Sequence, residues 1–399
     1  GSCREHLQGG RDLSSPNHAI VGFMASSWAW MDFGDKEREQ ALEVIALFAE
    51  EGAVDELGLG TIRDAVSDEL FPGTSTIQTR ARYFLFIPWI LQAAAEAGRR
   101  GNKSVDDLQR FVRQREVGQL IDALVNGGET QGVIGRQRRE ALRQVPSATY
   151  WRGLAEWGIR LNGWSREALF RRLAQGTRTP PAESDDGSPG LIFATDWHPA
   201  LPPTPEDLFE STSFALTKDE AEFLSERILR SKGHSLLAFL VGHATETTDV
   251  SFIGEHPLRA EFPVASETLV EASRRFAQVM HGAAILYQLW VTELKGDADL
   301  VESNSRDLDG WISEMRDEHA ALAQWNIEDF FAIVCRLNPR LSRRTLAFCD
   351  EWQKLVIRGD LSVDHLEASA VRRLITERER SLKGPRARLA AGAERQREI

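Results

Sequence analysis

Apolar residues recur at steps of three and four along most of the chain, the spacing of one helix face rather than the alternation of a strand. Ala41, Val44, Ile45, Phe48 and Ala49 form such a stripe between Asp35 and Glu51. Ile62, Ala65, Val66 and Leu70 form a second, ended by Pro72. The stretch from Leu70 to Leu91, LFPGTSTIQTRARYFLFIPWIL, is different. Ile77, Ala81, Phe84, Leu85, Pro88 and Leu91 keep the helical step, yet from Tyr83 to Leu91 almost every residue is apolar. A helix apolar all round must be covered on all sides. Nine such residues are too few to cross a bilayer. Pro72-Gly73 predicts a turn. Thr74, Ser75 and Thr76 are residue types that cap helix N-termini, so the spacing opens the helix there. Pro88 removes one ladder hydrogen bond and predicts a kink.

Further helices follow. Arg99-Arg100-Gly101 closes the apolar helix with cations and a glycine. Ser104 caps the next, which runs through Leu108, Val112, Leu120 and Leu124 to Asn126. A short helix is predicted over Arg138–Gln144, a stop-and-cap at Pro146-Ser147, then helices over Ala148–Gly158 and Ser165–Ala174. GTRTPPAESDDGSPG, at 176–190, has linker composition. Leu191–Ala194 reads as a short strand, and Pro199–Pro205 as irregular chain. Thr217 with Glu220 forms a capping box. A helix over Leu236–Val241 follows, then a long one capped by Ser266 and reaching Leu294. More are predicted near 300–324, 327–337, 341–357 and 364–383, with Asn326 and Ser342 as caps. The charged end, from ERERSLKGPR onward, is expected to fray.

The fold class is therefore mainly α, multi-helical, in two to three domains. A leader occupies 1–23, with Met24 a candidate native start, and an N-terminal helical domain spans 24–98. A basic helical subdomain covers 99–178, a linker 179–190, an acidic helical domain 191–375 and a charged tail 376–399.

Charge sharpens these boundaries. The net charge is −12, but residues 99–178 carry 16 Lys/Arg against 8 Asp/Glu, whereas residues 179–371 carry 16 against 33. Such asymmetry suits a protein that meets a polyanion or an acidic partner through one face and repels it elsewhere. Short helices with tight turns and arginines at 136, 138, 139, 143, 152, 160, 166, 171 and 172 have the composition of a helix-turn-helix-like DNA-binding unit. The same pattern also describes a solvated helix face. The candidate nucleic-acid contacts are Arg136, Arg138, Arg139, Arg143, Arg152, Arg160, Arg171 and Arg172, joined by Arg80 and Arg82. The last two stand near a hydroxyl-rich helix start that could hold a phosphate. Their other reading is pairing with Asp64, Asp68 or Glu69.

The run GLGTIRDAVSDELFPGTSTIQTRARYFLFIPWI (Gly58–Ile90) resembles a bacterial family of unknown function. SSWAWMDFGDKEREQALEVIALF before it, and PSATYWRGLAEWGIR and HGAAILYQLW after it, are similar to the same family, so the resemblance covers Met24 to about Arg380. It implies a place beside helicase and phospholipase D-like nuclease genes in anti-phage defence loci. It supplies no catalytic residues.

Catalytic motifs do not emerge. The chain has no GxxxxGK[ST] loop, no HExxH, no paired CxxC, no GxSxG and no HxK motif. No cofactor or metal is expected. Of nine histidines, His198, His234, His243 and His256 come nearest to a cluster, and a metal would need three or four to converge. His281, among apolar residues, reads as a core histidine. Glu302, Asp307, Asp309, Glu314, Asp317 and Glu318 read as an acidic solvated face. Three cysteines argue against a disulfide framework and for a reducing cytoplasm; Cys335 and Cys349 read as small buried hydrophobes. Eleven tryptophans read as core anchors first and binding platforms second. No membrane span is predicted. Three functions follow: a non-catalytic accessory subunit touching DNA and a protein partner (a helicase or nuclease), a pure scaffold for such a partner, or, least supported, a nucleic-acid-acting enzyme.

Overall fold

The structure, a computed structural model, describes residues 57–101, 103–175, 196–243, 250, 253–358, 362–366 and 368–389. The expected helix from Asp35 to Glu51, the leader, the linker, the strand at Leu191–Ala194 and the last ten residues lie outside them. The chain is mainly α and multi-helical, and no strand occurs among the described residues. An antiparallel bridge joins Arg160 to Trp197.

Two apolar cores organise the helices. The first half opens with α1 (Gly60–Leu70) and α2 (Tyr83–Arg100). Phe84 to Ile87 of α2 are wholly buried, and Tyr83 and Trp89 are 1% exposed, so the apolar run is covered on every side. The cover comes from α3 (Val105–Arg113), α5 (Pro146–Glu156), α6 (Arg166–Gln175) and α7 (Lys218–Lys232). The helix α4 (Leu120–Asn126) completes this core. Each large apolar side chain taken out of water contributes roughly 1.5–3 kcal/mol, so this helix holds the first core together.

The second core lies around α9 (Val264–Lys295), which packs along α10 (Ala298–Asp317). Before it comes α8 (Leu236–Gly242), whose residues divide between the two cores: Leu236 and Leu240 join the second, Leu237 and Ala238 the first. The Trp311 ring packs directly against Gly282, where any Cβ would overlap it. After α11 (His319–Gln324), α12 (Ile327–Leu337), α13 (Arg343–Arg358) and α14 (Val363–Leu366), α15 (Ser369–Lys383) closes the core. The N-terminal α1 packs here too, so the packing groups cut across the charge segments.

Several expectations are corrected. The helix predicted to open at Thr74–Thr76 starts at Tyr83, with no side-chain cap. The hydroxyl run lies in a folded strap instead, pinned by side chains from elsewhere. Gln78 Nε2 donates to the Gly73 carbonyl, and the Tyr150 hydroxyl accepts from the N–H groups of Thr79 and Arg80. Trp157 donates to the Pro72 carbonyl and stacks on Phe84, centroids 3.8 Å apart. Gly73 sits at φ +83° against this indole, a conformation side chains resist. The predicted helix at Arg138–Gln144 shrinks to one 3-10 turn over Arg139–Ala141, and Arg139 adopts a positive φ of 43° that an α-helix does not allow. The long helix opens at Val264 rather than at Ser266, which is buried inside its first turn. His281 is exposed, not in the core.

The start of the charged end does not fray. Glu379 is wholly buried and accepts from the Tyr287 hydroxyl at 2.8 Å, from Lys383 at 3.3 Å and from the N–H groups of Arg388 and Leu389. Arg378 donates to the Leu57 carbonyl and to Thr345, tying α15 to the start of α1. A buried carboxylate with four donors is held where a charged tail would otherwise stay in water. Trp89, Trp157, Trp290 and Trp352 are fully buried anchors, and Cys349 is a buried free thiol while Cys335 is half-buried.

Arg82 and Glu220 give a direct test of the first core. The guanidinium, 7% exposed, donates to Glu220 at 2.8 Å and to the Ser213 carbonyl at 2.7 Å. Removing one partner strands a buried charge, so Glu220→Ala is expected to cost about 3–5 kcal/mol in urea unfolding. The paired change R82M/E220L is expected to cost less than E220A alone; an equal or greater loss contradicts a dominant ion pair.

Candidate nucleic-acid interface

The ten predicted arginines fall into two sets. Arg82 and Arg160 are buried, at 7% exposure each. Arg82 serves Glu220, not the acidic residues of α1. Arg80 lies half-buried over the Phe214 ring, its backbone N–H and carbonyl both bound to the Tyr150 hydroxyl. No phosphate cradle forms at this point: the helix begins three residues after Arg80, and Arg82 is already spent. Arg152 bridges Asp68 of α1 at 2.9 Å and approaches Glu156 at 3.7 Å. Arg139 pairs with Asp122, Arg172 with Asp196.

The second set faces water. Arg136, Arg138, Arg143 and Arg171 are exposed. Arg136 also reaches the Thr130 carbonyl. Arg138 and Arg143 make no ion pair with any described residue. The turn carrying them is held by Arg113, whose guanidinium donates to the carbonyls of Glu140 and Leu142 at 2.7 and 2.9 Å. Arg143 stands three residues before Pro146, and Arg166 at the start of α6 closes onto the Ser147 hydroxyl at 3.1 Å. The arginine turn, the start of α5 and the start of α6 are therefore neighbours.

Glu116 braces that junction. It lies wholly buried in a π-turn, Gln114–Gln119, between α3 and α4. Its carboxyl accepts the Ser147 N–H at 2.6 Å and the Ser147 hydroxyl at 3.1 Å. It thus caps the start of α5, where Val145 offers no side-chain cap. Ser147 is wholly buried, which makes this a clamp and not a nucleophile. Burial pushes the Glu116 carboxyl up to about 7, against the Ser147 N–H and hydroxyl, which pull it down. Leu108, Val112, Glu116 and Leu120 share one helix face, so a carboxylate in an apolar i,i+4 row was the available signal.

Between α5 and α6 the loop Leu161–Trp164 is stitched into place. Arg160 donates to the Asn162 and Trp164 carbonyls, and its guanidinium lies 4.5 Å over Trp151. Asn162 Nδ2 donates to Asp196, and Leu161 N–H to the Asp196 carbonyl at 2.9 Å. Leu161 and Trp164 nevertheless remain 46% and 38% exposed.

A second feature lies between the two cores. A cleft of about 670 Å³ is lined by Asp64, Asp68 and Glu69 of α1, Arg152 and Glu156 of α5, and Lys232, His234 and Arg340. Its charges largely answer one another: Arg152 meets Asp68, and Lys232 meets Glu156 at 2.5 Å. Sequence reading missed it because its residues come from four distant segments. The histidines stay apart: His243 stacks on Phe239, and His198 and His256 accept nearby backbone N–H groups. No cluster able to hold a metal occurs among the described residues. No described helix is long and apolar enough to cross a membrane.

The fold and surface define a multi-helical protein with an arginine-bearing face around α5 and α6. The chain belongs to a family of unknown function, DUF6361, whose model matches residues 25–398. No curated protein and no solved structure matches it.

Glu116 yields a pH prediction. Between about pH 4.5, its ordinary value, and about 7, the folded protein keeps a proton that the unfolded chain has released. Stability should fall across that window as pH rises. In Glu116→Gln this component is absent, so the stability difference between E116Q and wild type should shift in favour of E116Q from pH 5 to pH 8. A constant difference in calorimetric stability contradicts the buried, proton-retaining carboxyl.

Proposed function

We propose that this protein is a non-catalytic accessory component of a bacterial anti-phage defence system that contacts DNA through the arginine-bearing surface around α5 and α6. The observation that carries the reading is the exposure of Arg138, Arg143 and Arg171 with no ion-pair partner among the described residues, beside a rigidly braced loop. An unpaired surface arginine is available to neutralise a phosphate, and released counterions make such binding salt-dependent. The positive balance of residues 99–178 supports attraction to a polyanion, and the acidic second half limits it to one side. The defence context rests on the family resemblance. Arg80, Arg82 and Arg160 leave the contact set because their side chains are committed to the interior or to its edge.

A scaffold reading draws on the other end of the molecule. Glu302, Asp307, Asp309, Glu314 and Asp317 are exposed along α10. Leu294 and Leu300, flanking the Gly296 turn between α9 and α10, are 39% and 42% exposed. Exposed leucines beside an acidic helix suit a protein partner with a basic rim, such as a helicase or nuclease of the same locus.

The test is binding to duplex and single-stranded oligonucleotides across a salt series. Affinity is expected to fall steeply with salt, and the triple change R138A/R143A/R171A to lower the slope of log K against log[salt] by roughly two to three. No binding at low salt, or an unchanged slope in the variant, contradicts the DNA reading and favours the scaffold.

A further inference from the structure

The loop between α5 and α6 spends buried polar groups to hold two apolar side chains in water. Arg160, 7% exposed, directs its guanidinium to the carbonyls of Asn162 and Trp164. The Trp151 indole donates to the same Trp164 carbonyl at 3.2 Å, and Asn162 Oδ1 accepts the Trp164 N–H at 3.2 Å. The loop is then fastened to Asp196, which also holds Arg172. Arg172 in turn lies 4.4 Å over the Trp164 ring. One face of that indole is thus backed by a guanidinium fixed on a carboxylate, while the residue stays 38% exposed. The guanidinium covers one face only, which leaves the other for a ligand to meet.

A tryptophan kept exposed on a braced loop, with unpaired arginines nearby, has the makings of a stacking platform. Every base offers a π-face, so stacking on such a ring is tolerant of sequence and needs the base to be unpaired. A cation behind the ring, held by its own carboxylate, keeps the ring from collapsing onto the surface. Duplex DNA hides its base faces inside the stack and offers only edges and phosphates. A flat exposed indole adds nothing to such contacts.

We propose that Trp164 is a base-stacking residue that gives this surface a preference for single-stranded over duplex DNA. The proposal rests on the DNA reading above and adds to it which form of the polymer is taken. Arg143 and Arg171 would track the backbone of the strand whose base lies on Trp164.

The test measures binding of an oligo-dT and of a duplex of equal length by fluorescence anisotropy for wild type, Trp164→Ala and Trp164→Phe. Wild type is expected to prefer the single strand. W164A should lose roughly 5- to 150-fold in oligo-dT affinity, the loss of stacking by one base, with its duplex affinity and salt slope unchanged. W164F, which keeps a ring, should recover part of the loss, and unchanged helicity in all three excludes misfolding as the cause. Equal oligo-dT affinity in wild type and W164A overturns the stacking role while leaving salt-dependent DNA binding standing. Equal losses on single strand and duplex also overturn it, because they assign Trp164 to the shape of the surface and not to a base. Absence of all nucleic-acid binding in wild type overturns the DNA reading itself, and this proposal with it; Leu161 and Trp164 are then a protein contact.

Discussion

The first half of the molecule depends on covering α2 from every direction. A helix whose first nine residues are apolar all round has no face to give to water, so other segments must enclose it. Four helices and the strap at 71–82 do so, and distant side chains meet polar groups at its entry. Arg82 meets Glu220 across 138 residues of chain, and the Tyr150 hydroxyl serves Thr79 and Arg80. The most distinctive stretch of sequence is thus an architectural device. Its arginines and hydroxyls close the core, and the surface with arginines to spare lies elsewhere.

That surface is built as a chain of supports. Glu116 caps α5 through Ser147, and Arg166 closes α6 onto the same hydroxyl. Arg113 fixes the turn at 139–142, and Arg160 with Asp196 fixes the loop that bears Trp164. In each case a charged side chain is consumed in fixing a neighbouring turn, loop or helix start rather than left for a ligand. Structural and surface arginines sit within a few residues of one another in sequence, and only their partners tell them apart. This is why the positive balance of residues 99–178 overstates the charge available to a ligand.

Much of the fold was legible. The cap at Ser104 and the capping box at Thr217–Glu220 form as read, and the helices at 62–70, 236–241 and 327–337 stand within a few residues of their apolar stripes. Local signals were enough there because each cap and stripe acts within one helix. Reading failed where a distant group overruled a local one. Thr74–Thr76 did not open a helix because Tyr150, Trp157 and Gly132 hold the strap from outside. The charged start of the tail packs because Tyr287, 92 residues away, offers Glu379 a donor. The candidate contacts were legible as a composition and not as a site. No spacing distinguishes Arg138, which faces water, from Arg160, which does not.

The central claim is that nucleic acid lies on the face formed by the arginine turn and the α5–α6 loop. Hydrogen–deuterium exchange with and without a saturating oligo-dT reads that face directly in the intact protein. The account predicts slowed exchange in peptides covering residues 136–145 and 160–172, with the α9–α10 pair unchanged. Slowed exchange confined to the α9–α10 pair, or to the cleft beside α1, would contradict it.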